Sequence, residues 1–190
     1  MTYTAKDYSS LLGAGMGSEA LLRNHFTLYQ GYVNNTNKLD TLLAAGPKDG
    51  LNPQYAELKR RYGFEWNGMR LHEYYFENLG PAAAPDKSGK LAHKLAESFG
   101  SYEAWEEDFK ATGSMRGVGW TILCQDEVTG ALYNQWVAEH HNNHLAGARI
   151  ILVMDIWEHA FMLDYGLARA KYIGDFFQHI RWDVVQGRLA

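Results

Sequence analysis

Residues 150–163, IILVMDIWEHAFML, place a carboxylate at the end of an apolar run. The run Ile150–Met154 is typical of a fully buried strand, and Asp155 follows it directly. A buried carboxylate that lacks a cation is costly, so Asp155 must find a cation or take up a proton. His159 stands four residues further on, close enough to share a site with Asp155 across a strand-to-helix turn. This segment alone leaves two possibilities open: a hydrogen-bonded or helix-capping aspartate, or a cation site.

Two histidines in the first half of the chain occupy positions where an aliphatic core residue is expected. His25 lies on a helical stripe formed by Leu21, Leu22, Leu28, Tyr29, Tyr32 and Val33. His72 shares a similar face with Met69, Phe76 and Leu79. A lone histidine on such a face needs only one hydrogen-bond partner, so each of them taken alone is better interpreted as an ordinary core residue. Combined with Asp155 and His159, however, the set of three imidazoles and one carboxylate suits zinc, iron or manganese.

The composition indicates a soluble globular protein. The chain has 190 residues, 46% of them hydrophobic, which suits one domain or two small halves. The net charge of −4 gives no general attraction to nucleic acid or membranes, and we expect neither as a partner. A single cysteine, Cys124, cannot form an internal disulfide, and the N-terminus does not resemble a secretion signal. We therefore expect a cytoplasmic protein.

Helix signals fill the first half of the chain. Ser18 is typical of an N-cap, and the periodicity predicts a long helix from there to Ala45. Pro53 begins a second, shorter helical stretch, and a third is predicted over residues 67–79. The result is an antiparallel helical hairpin with one inward histidine on each arm.

The second half mixes helices and strands. The connector GPAAAPDKSG, residues 80–89, marks the boundary between the halves. Beyond it we predict helices over 88–99, 102–113, 169–180 and 182–188, and strands over 118–124, 131–137 and 149–154. The predicted fold is α+β: a helical hairpin domain over 1–82, then an α+β domain over 88–190 with a small three-stranded antiparallel sheet. We expect the metal site between the two domains.

These segments resemble one protein family over about residues 20–188. DIWEHAFMLDY, residues 155–165, resembles the DxWEHAYYLxY signature of the iron/manganese superoxide dismutases. Four more stretches resemble family segments: YVNNTNKL (32–39), RLHEYYFENLGP (70–81), GVGWTIL (117–123) and ARAKYIGDFFQHIRWDVV (168–185). The resemblance implies an enzyme that converts superoxide to dioxygen and hydrogen peroxide. Its metal ligands would be His25, His72, Asp155 and His159, holding one iron ion, with manganese as the alternative.

The resemblance also implies roles for residues around the metal. Tyr32 matches the family's gateway tyrosine, and His140 matches a residue that hydrogen-bonds the metal-bound solvent. A histidine at this position occurs in iron members, and Gly68 stands where some of them have a glutamine. The aromatic wall matches Trp120 and Trp157. Arg169 matches an arginine of the charged network near the site, and Glu158 matches a residue that reaches a neighbouring subunit's site. A homodimer or higher homo-oligomer is therefore expected.

One spacing departs from the family pattern. The family's first ligand precedes the gateway tyrosine by eight residues, which would select Asn24, whereas His25 precedes Tyr32 by seven. At about 100° per residue, seven steps bring two side chains within roughly 20° of each other on an α-helix. Two side chains that are eight residues apart can face one pocket only if a π-bulge in the helix absorbs the extra residue. We therefore predict that a regular helix aims His25 and Tyr32 at the same pocket.

Two alternatives remain open from the sequence. A non-enzymatic dismutase-like protein with a structural or absent metal is favoured by the shifted spacing. It is also favoured by Leu28 or Tyr29 and Met162 at positions where the family has a contact between subunits. A zinc hydrolase could use the same donor set, but no general base is evident. The remaining histidines, His93, His141, His144 and His179, are predicted to be solvated.

Overall fold

The computed structural model describes residues 2–14 and 16–190 and has the predicted α+β architecture. The helices are α1 (Glu19–Ala45), α2 (Pro53–Asn78), α3 (Lys90–Phe99), α4 (Tyr102–Ser114), α5 (Met162–Tyr165), α6 (Arg169–Gln178) and α7 (Trp182–Gly187). The strands are β1 (Gly119–Asp126), β2 (Leu132–Ala138) and β3 (Ala148–Asp155). Single 3-10 turns occupy Ser9–Leu11 and Glu158–Ala160. Within the described ranges, no helix combines the length and apolarity that crossing a membrane requires.

The two long helices begin at side-chain caps. The Oγ atom of Ser18 accepts a hydrogen bond from the Leu21 amide at 3.1 Å, which fixes the first turn of α1. Asn52 caps α2 in the same way, and Pro53 follows it in the first turn, where a missing N–H is tolerated. The helices pack against each other as the predicted hairpin.

The prediction of two separate helices between residues 53 and 79 is wrong, because α2 is unbroken from Pro53 to Asn78. Gly63 and Gly68 lie inside it, and each glycine lowers helix propensity by about 1 kcal/mol relative to alanine. The apolar pattern is also interrupted by Glu65, which is buried. Its carboxylate is satisfied there by Arg61 Nε at 2.7 Å and Asn35 Nδ2 at 3.2 Å. Tertiary packing thus stabilises a helix that local propensity interrupts.

The sheet is antiparallel in the order β2-β1-β3. The central strand β1 is buried from Gly119 to Gln125 and pairs Trp120 with Asp155 of β3. Helix α4 packs on β1 and β2, and α2 packs on β3. The end of β3 therefore lies beside the second arm of the hairpin.

The first residue of β1 needs to be glycine. Gly119 has a φ of +150°, and a Cβ atom built on it would overlap the Val137 carbonyl oxygen of β2. The same atom would lie 3.0 Å from the Glu139 amide nitrogen. These atoms belong to the main chain of Val137 and Glu139, which cannot rotate aside as a flexible side chain could. The close approach of β1 and β2 at this point thus depends on the absence of a side chain.

A buried polar cluster joins α2 to the sheet. Asn78, the last residue of α2, donates from Nδ2 to the Val153 carbonyl at 2.6 Å. Arg188 donates from Nη1 to Asn78 Oδ1 at 2.5 Å and to the Ile151 carbonyl at 3.1 Å. These bonds satisfy the buried amide of Asn78 and the main-chain carbonyls of Ile151 and Val153. It fixes the register of α2 against β3.

A second link joins the start of α1 to the segment after β3. Asp164 accepts hydrogen bonds from the Ser18 amide at 2.5 Å and from Ser18 Oγ at 2.8 Å. Ser18 precedes His25 by seven residues, and Asp164 follows His159 by five. The two segments that carry these histidines are thereby held together.

Candidate metal centre

Four side chains from α1, α2, the end of β3 and the following 3-10 turn converge on one point. His25, His72, Asp155 and His159 offer ligand atoms that all lie within 4.8 Å of one another. The Nε2 atoms of His25 and His159 are each 3.1 Å from Asp155 Oδ2, and that of His72 is 3.7 Å away. The first three residues are buried, and the His159 side chain is 21% exposed. The structure thus brings together the four residues that the sequence grouped.

The register of α1 places His25 at this centre. The helix is α-helical throughout Glu19–Ala45, without a π turn. Both His25 and Tyr32 contact centre residues: their rings lie 5.0 Å and 5.1 Å from the His72 ring. Asn24 is exposed and lines a surface groove. The predicted facing of His25 and Tyr32 is therefore confirmed, and ligation by His25 stays a prediction.

The protonation states of the centre follow from burial. Burial holds the pKa values of His25 and His72 below the usual range, so both imidazoles are neutral at pH 7. Burial alone would raise the pKa of Asp155, but the neighbouring His159 and His25 hold it below its ordinary value. The centre thus contains a charged carboxylate beside the two neutral rings of His25 and His72.

His72 leaves one nitrogen free for a ligand bond. Its Nδ1 lies 2.6 Å from the Gly68 carbonyl, which can only accept, so Nδ1 carries the proton. The Nε2 atom then carries the lone pair, and it is buried with no hydrogen-bond partner in the described part of the chain. Such an arrangement is typical of a metal-binding histidine oriented by a backbone carbonyl. These residues fit a transition-metal ion.

A directed hydrogen-bond chain lies beside the centre. Trp120 Nε1 donates to His140 Nδ1 at 3.0 Å, because an indole nitrogen can only donate. Burial lowers the pKa of His140 to about 3, so this ring is neutral and its proton is on Nε2. That proton is donated to Tyr32 Oη at 2.7 Å. The hydroxyl proton of Tyr32 is then free to point elsewhere.

Aromatic rings enclose this chain. Trp157 stacks on His140 at 4.7 Å and on His159 at 5.8 Å between ring centroids. Phe64, which the sequence reasoning missed, meets the His140 ring edge-on at 4.5 Å. Burial raises the pKa of Tyr32 above its usual value, so its hydroxyl stays protonated at neutral pH.

The Tyr32 ring occupies the space beside Gly68. A Cβ atom on Gly68 would lie 2.6 Å from Tyr32 Cδ1. Any side chain at this position would therefore push Tyr32 away from His140. The close packing explains why α2 contains a glycine here despite its low helix propensity.

Two further predicted residues lie at the margin of the centre. Glu158 is exposed, beside a groove of about 660 Å³. Arg169 is half-buried and donates from Nη1 to the Gly117 carbonyl at 3.3 Å. Its Nε and Nη2 atoms are buried and have no partner among the described residues. Neither residue contacts the four converging side chains through a hydrogen bond in the described chain.

The expectation that the other histidines are solvated holds for some of them. His93 and His144 are exposed, and His141 is half-buried against Phe64. His179 was wrongly expected at the surface: it is buried, and its Nδ1 donates to the Asp175 carbonyl at 2.8 Å. This bond to the last turn of α6 satisfies the Nδ1 atom of the ring.

Comparison with known proteins agrees with this geometry. Residues 87–188 match the model of the C-terminal domain of iron/manganese superoxide dismutases. The chain is 35% identical over 168 residues to superoxide dismutase (Mn) 2 of Haloferax volcanii, covering 88% of this chain and 84% of the relative. It is also 35% identical over 181 residues to superoxide dismutase (Fe) of Cupriavidus metallidurans, covering 91% and 88%. Superoxide dismutase (Fe) of Pyrobaculum aerophilum is 30% identical over 177 residues, covering 92% of this chain and 84% of the relative. With this match over most of its length, the chain belongs to the iron/manganese superoxide dismutase family.

Proposed function

We propose that the protein disproportionates superoxide to dioxygen and hydrogen peroxide at one metal ion held by His25, His72, Asp155 and His159. The observation that carries this function is the buried Nε2 of His72, which has no hydrogen-bond partner among the described residues and faces a charged carboxylate and two further imidazoles. An iron or manganese ion supplies the reversible one-electron change by which one superoxide is oxidised and a second is reduced with two protons.

The charge of the donor set favours an anionic substrate. Asp155 contributes one negative charge, and burial keeps His25 and His72 neutral. A divalent or trivalent ion is therefore only partly neutralised, and the pocket keeps a positive charge in a chain whose net charge is −4. Superoxide is thus attracted to the pocket although the protein as a whole is acidic.

Tyr32 and His140 hold protons beside the ion. The His140 Nε2–H group donates to Tyr32, which leaves the Tyr32 hydroxyl proton available to an oxygen anion in the pocket. Trp120 fixes the tautomer of His140 by donating to Nδ1. Trp157 covers the rings of His140 and His159 and limits the access of water.

We propose iron as the ion, with manganese as the alternative. The histidine at position 140 resembles that of iron members of the family, while the relatives include proteins named for either metal. To test this, protein stripped of metal is reloaded separately with iron, manganese or zinc, and bound metal and superoxide dismutation are measured. We expect one ion per chain in each case, activity with iron that a chelator removes, and no activity with zinc. Metal binding without dismutation under all three conditions would favour the non-enzymatic alternative.

We propose that the protein forms a homodimer through the groove beside Glu158. Leu28, Met162 and Leu163 expose apolar surface there, next to the partly exposed ring of His159. A second copy that covers this groove would remove the segment carrying His159 from water.

Sedimentation of three proteins tests the dimer. The unmodified protein is expected at twice the chain mass, and Leu163→Glu is expected to shift it towards the monomer, because a charge is costly in an apolar interface. Val128→Glu is the matched control, since Val128 is 92% exposed in the turn between β1 and β2. A dimer mass for all three proteins would place the interface elsewhere, and a monomer mass for the unmodified protein would contradict the homodimer.

We further propose that the domain division falls between residues 82 and 88. The first part, 1–82, contributes His25 and His72, and the second, 88–190, contributes Asp155 and His159. The family match that begins at residue 87 supports this boundary. We also propose a cytoplasmic location, because Cys124 is buried and unpaired, as is usual in a reducing compartment.

A further inference from the structure

Two buried tyrosine hydroxyls form a chain that ends on the main chain of Asp155. Tyr172 Oη donates to the Asp155 carbonyl at 2.6 Å, and Tyr75 Oη lies 3.2 Å from Tyr172 Oη. A hydroxyl has one proton, and a carbonyl can only accept, so Tyr172 uses its proton on Asp155. Tyr75 must then be the donor to Tyr172. The direction of the chain, from Tyr75 through Tyr172 to Asp155, is therefore fixed.

The peptide unit after Asp155 is held from both sides. Its carbonyl accepts from Tyr172, and its amide, that of Ile156, donates to the Gly119 carbonyl at 2.9 Å. The next amide, that of Trp157, donates to Asp155 Oδ1 at 2.8 Å. This arrangement leaves Oδ2 directed at the histidines. The orientation of the carboxylate thus follows from the orientation of this peptide unit.

The other end of the chain also reaches the centre. Tyr75 lies on α2 three residues after His72, and its ring packs against the His25 ring at 5.3 Å between centroids. Both tyrosines are completely buried, and Tyr75 stacks on Phe176 of α6 at 6.1 Å. The two hydroxyls therefore connect α2, α6 and the end of β3 around the proposed ligands.

We propose that Tyr75 and Tyr172 are positioning residues that fix the Asp155 carboxylate for metal binding, a role that rests on the proposed function. Hydrogen bonds behind a metal ligand commonly change metal affinity 10- to 100-fold when they are removed. Tyr172 acts directly on the Asp155 peptide, and Tyr75 acts through Tyr172 by orienting and polarising its hydroxyl. A purely structural pair would satisfy a buried carbonyl without influencing the metal.

Four variants test this role: Tyr172→Phe, Tyr75→Phe, the double variant, and Tyr102→Phe as a control. Tyr102 is a buried tyrosine on α4, which carries none of the proposed ligands. The rate of iron loss to a chelator and the visible absorption of the iron-loaded protein are measured, with urea unfolding of the metal-free form alongside. We expect Tyr172→Phe to accelerate iron loss about 10- to 100-fold and to shift the absorption spectrum. Tyr75→Phe is expected to have a smaller effect of the same kind, and Tyr102→Phe none.

The double variant supplies the decisive comparison. Because Tyr75 acts only through Tyr172, the double variant should lose iron at the rate of Tyr172→Phe. Multiplied effects, or a loss of stability in urea with unchanged iron loss and spectrum, would overturn the positioning role. If Tyr172→Phe does not fold, Tyr75→Phe alone decides, since it keeps the bond from Tyr172 to Asp155. None of these readouts uses dismutation, so iron binding without activity would overturn the proposed function separately.

Discussion

Replacing His25 by alanine is expected to abolish iron retention and dismutation, whereas Asn24→Ala leaves both nearly unchanged. His25 is buried, and its Nε2 lies 3.1 Å from Asp155 Oδ2, while Asn24 is exposed. The loss of a direct ligand should exceed the roughly 100-fold effects seen for residues behind ligands. Bound iron after dialysis against a chelator and the rate of superoxide dismutation are the measurements.

A double exchange, Asn24→His with His25→Asn, sharpens this comparison. It keeps the composition of the helix but moves the imidazole about 100° around α1, towards the surface groove. We expect it to resemble His25→Ala. Iron retention by the exchanged protein, or iron loss in Asn24→Ala, would show that α1 presents residue 24 to the metal.

Replacing Gly119 by alanine is expected to destabilise the protein by about 3 kcal/mol or more. The added Cβ would overlap the Val137 carbonyl oxygen, and the φ of +150° is unfavourable for alanine. The pairing of β1 with β2 must open to relieve the overlap. The Gly119 carbonyl also accepts from the Ile156 amide, so iron retention should fall together with stability.

Urea unfolding of the metal-free protein measures this effect, and Gly174→Ala is the matched control. Gly174 lies inside α6, and a Cβ built there meets no atom within 4 Å from elsewhere in the described part of the chain. Alanine should stabilise that helix by about 0.5–1 kcal/mol. Similar unfolding midpoints for the two variants would contradict the steric explanation for Gly119.

The residues that end or interrupt apolar patterns were the most informative part of the sequence. Sequence pattern alone indicated the converging set, because Asp155 follows the apolar run Ile150–Met154 and both His25 and His72 lie on apolar stripes. The strands were predictable because β1 and β3 are buried and rich in apolar residues. These features depend on local pattern, which a single sequence contains.

Other features depend on contacts between distant residues and could not be predicted. The continuity of α2 required knowing that the Glu65 carboxylate meets Asn35 of α1. Tyr75 and Tyr172 are 97 positions apart, and nothing in their spacing distinguishes them from other core aromatic residues. The role implied for Glu158 depends on a second subunit, and the single chain leaves both Glu158 and Arg169 at the margin of the centre.

The separation of the converging residues along the chain has a consequence for biosynthesis. His25 and Asp155 are 130 positions apart. At roughly 5–20 residues per second, His25 leaves the ribosome about 6–26 s before Asp155. During that interval the helical hairpin can form from local contacts, but it offers only two of the four donors. The complete donor set forms only once β3 is in place, so a metal ion held by all four residues would enter a nearly finished protein and would stabilise it by mass action.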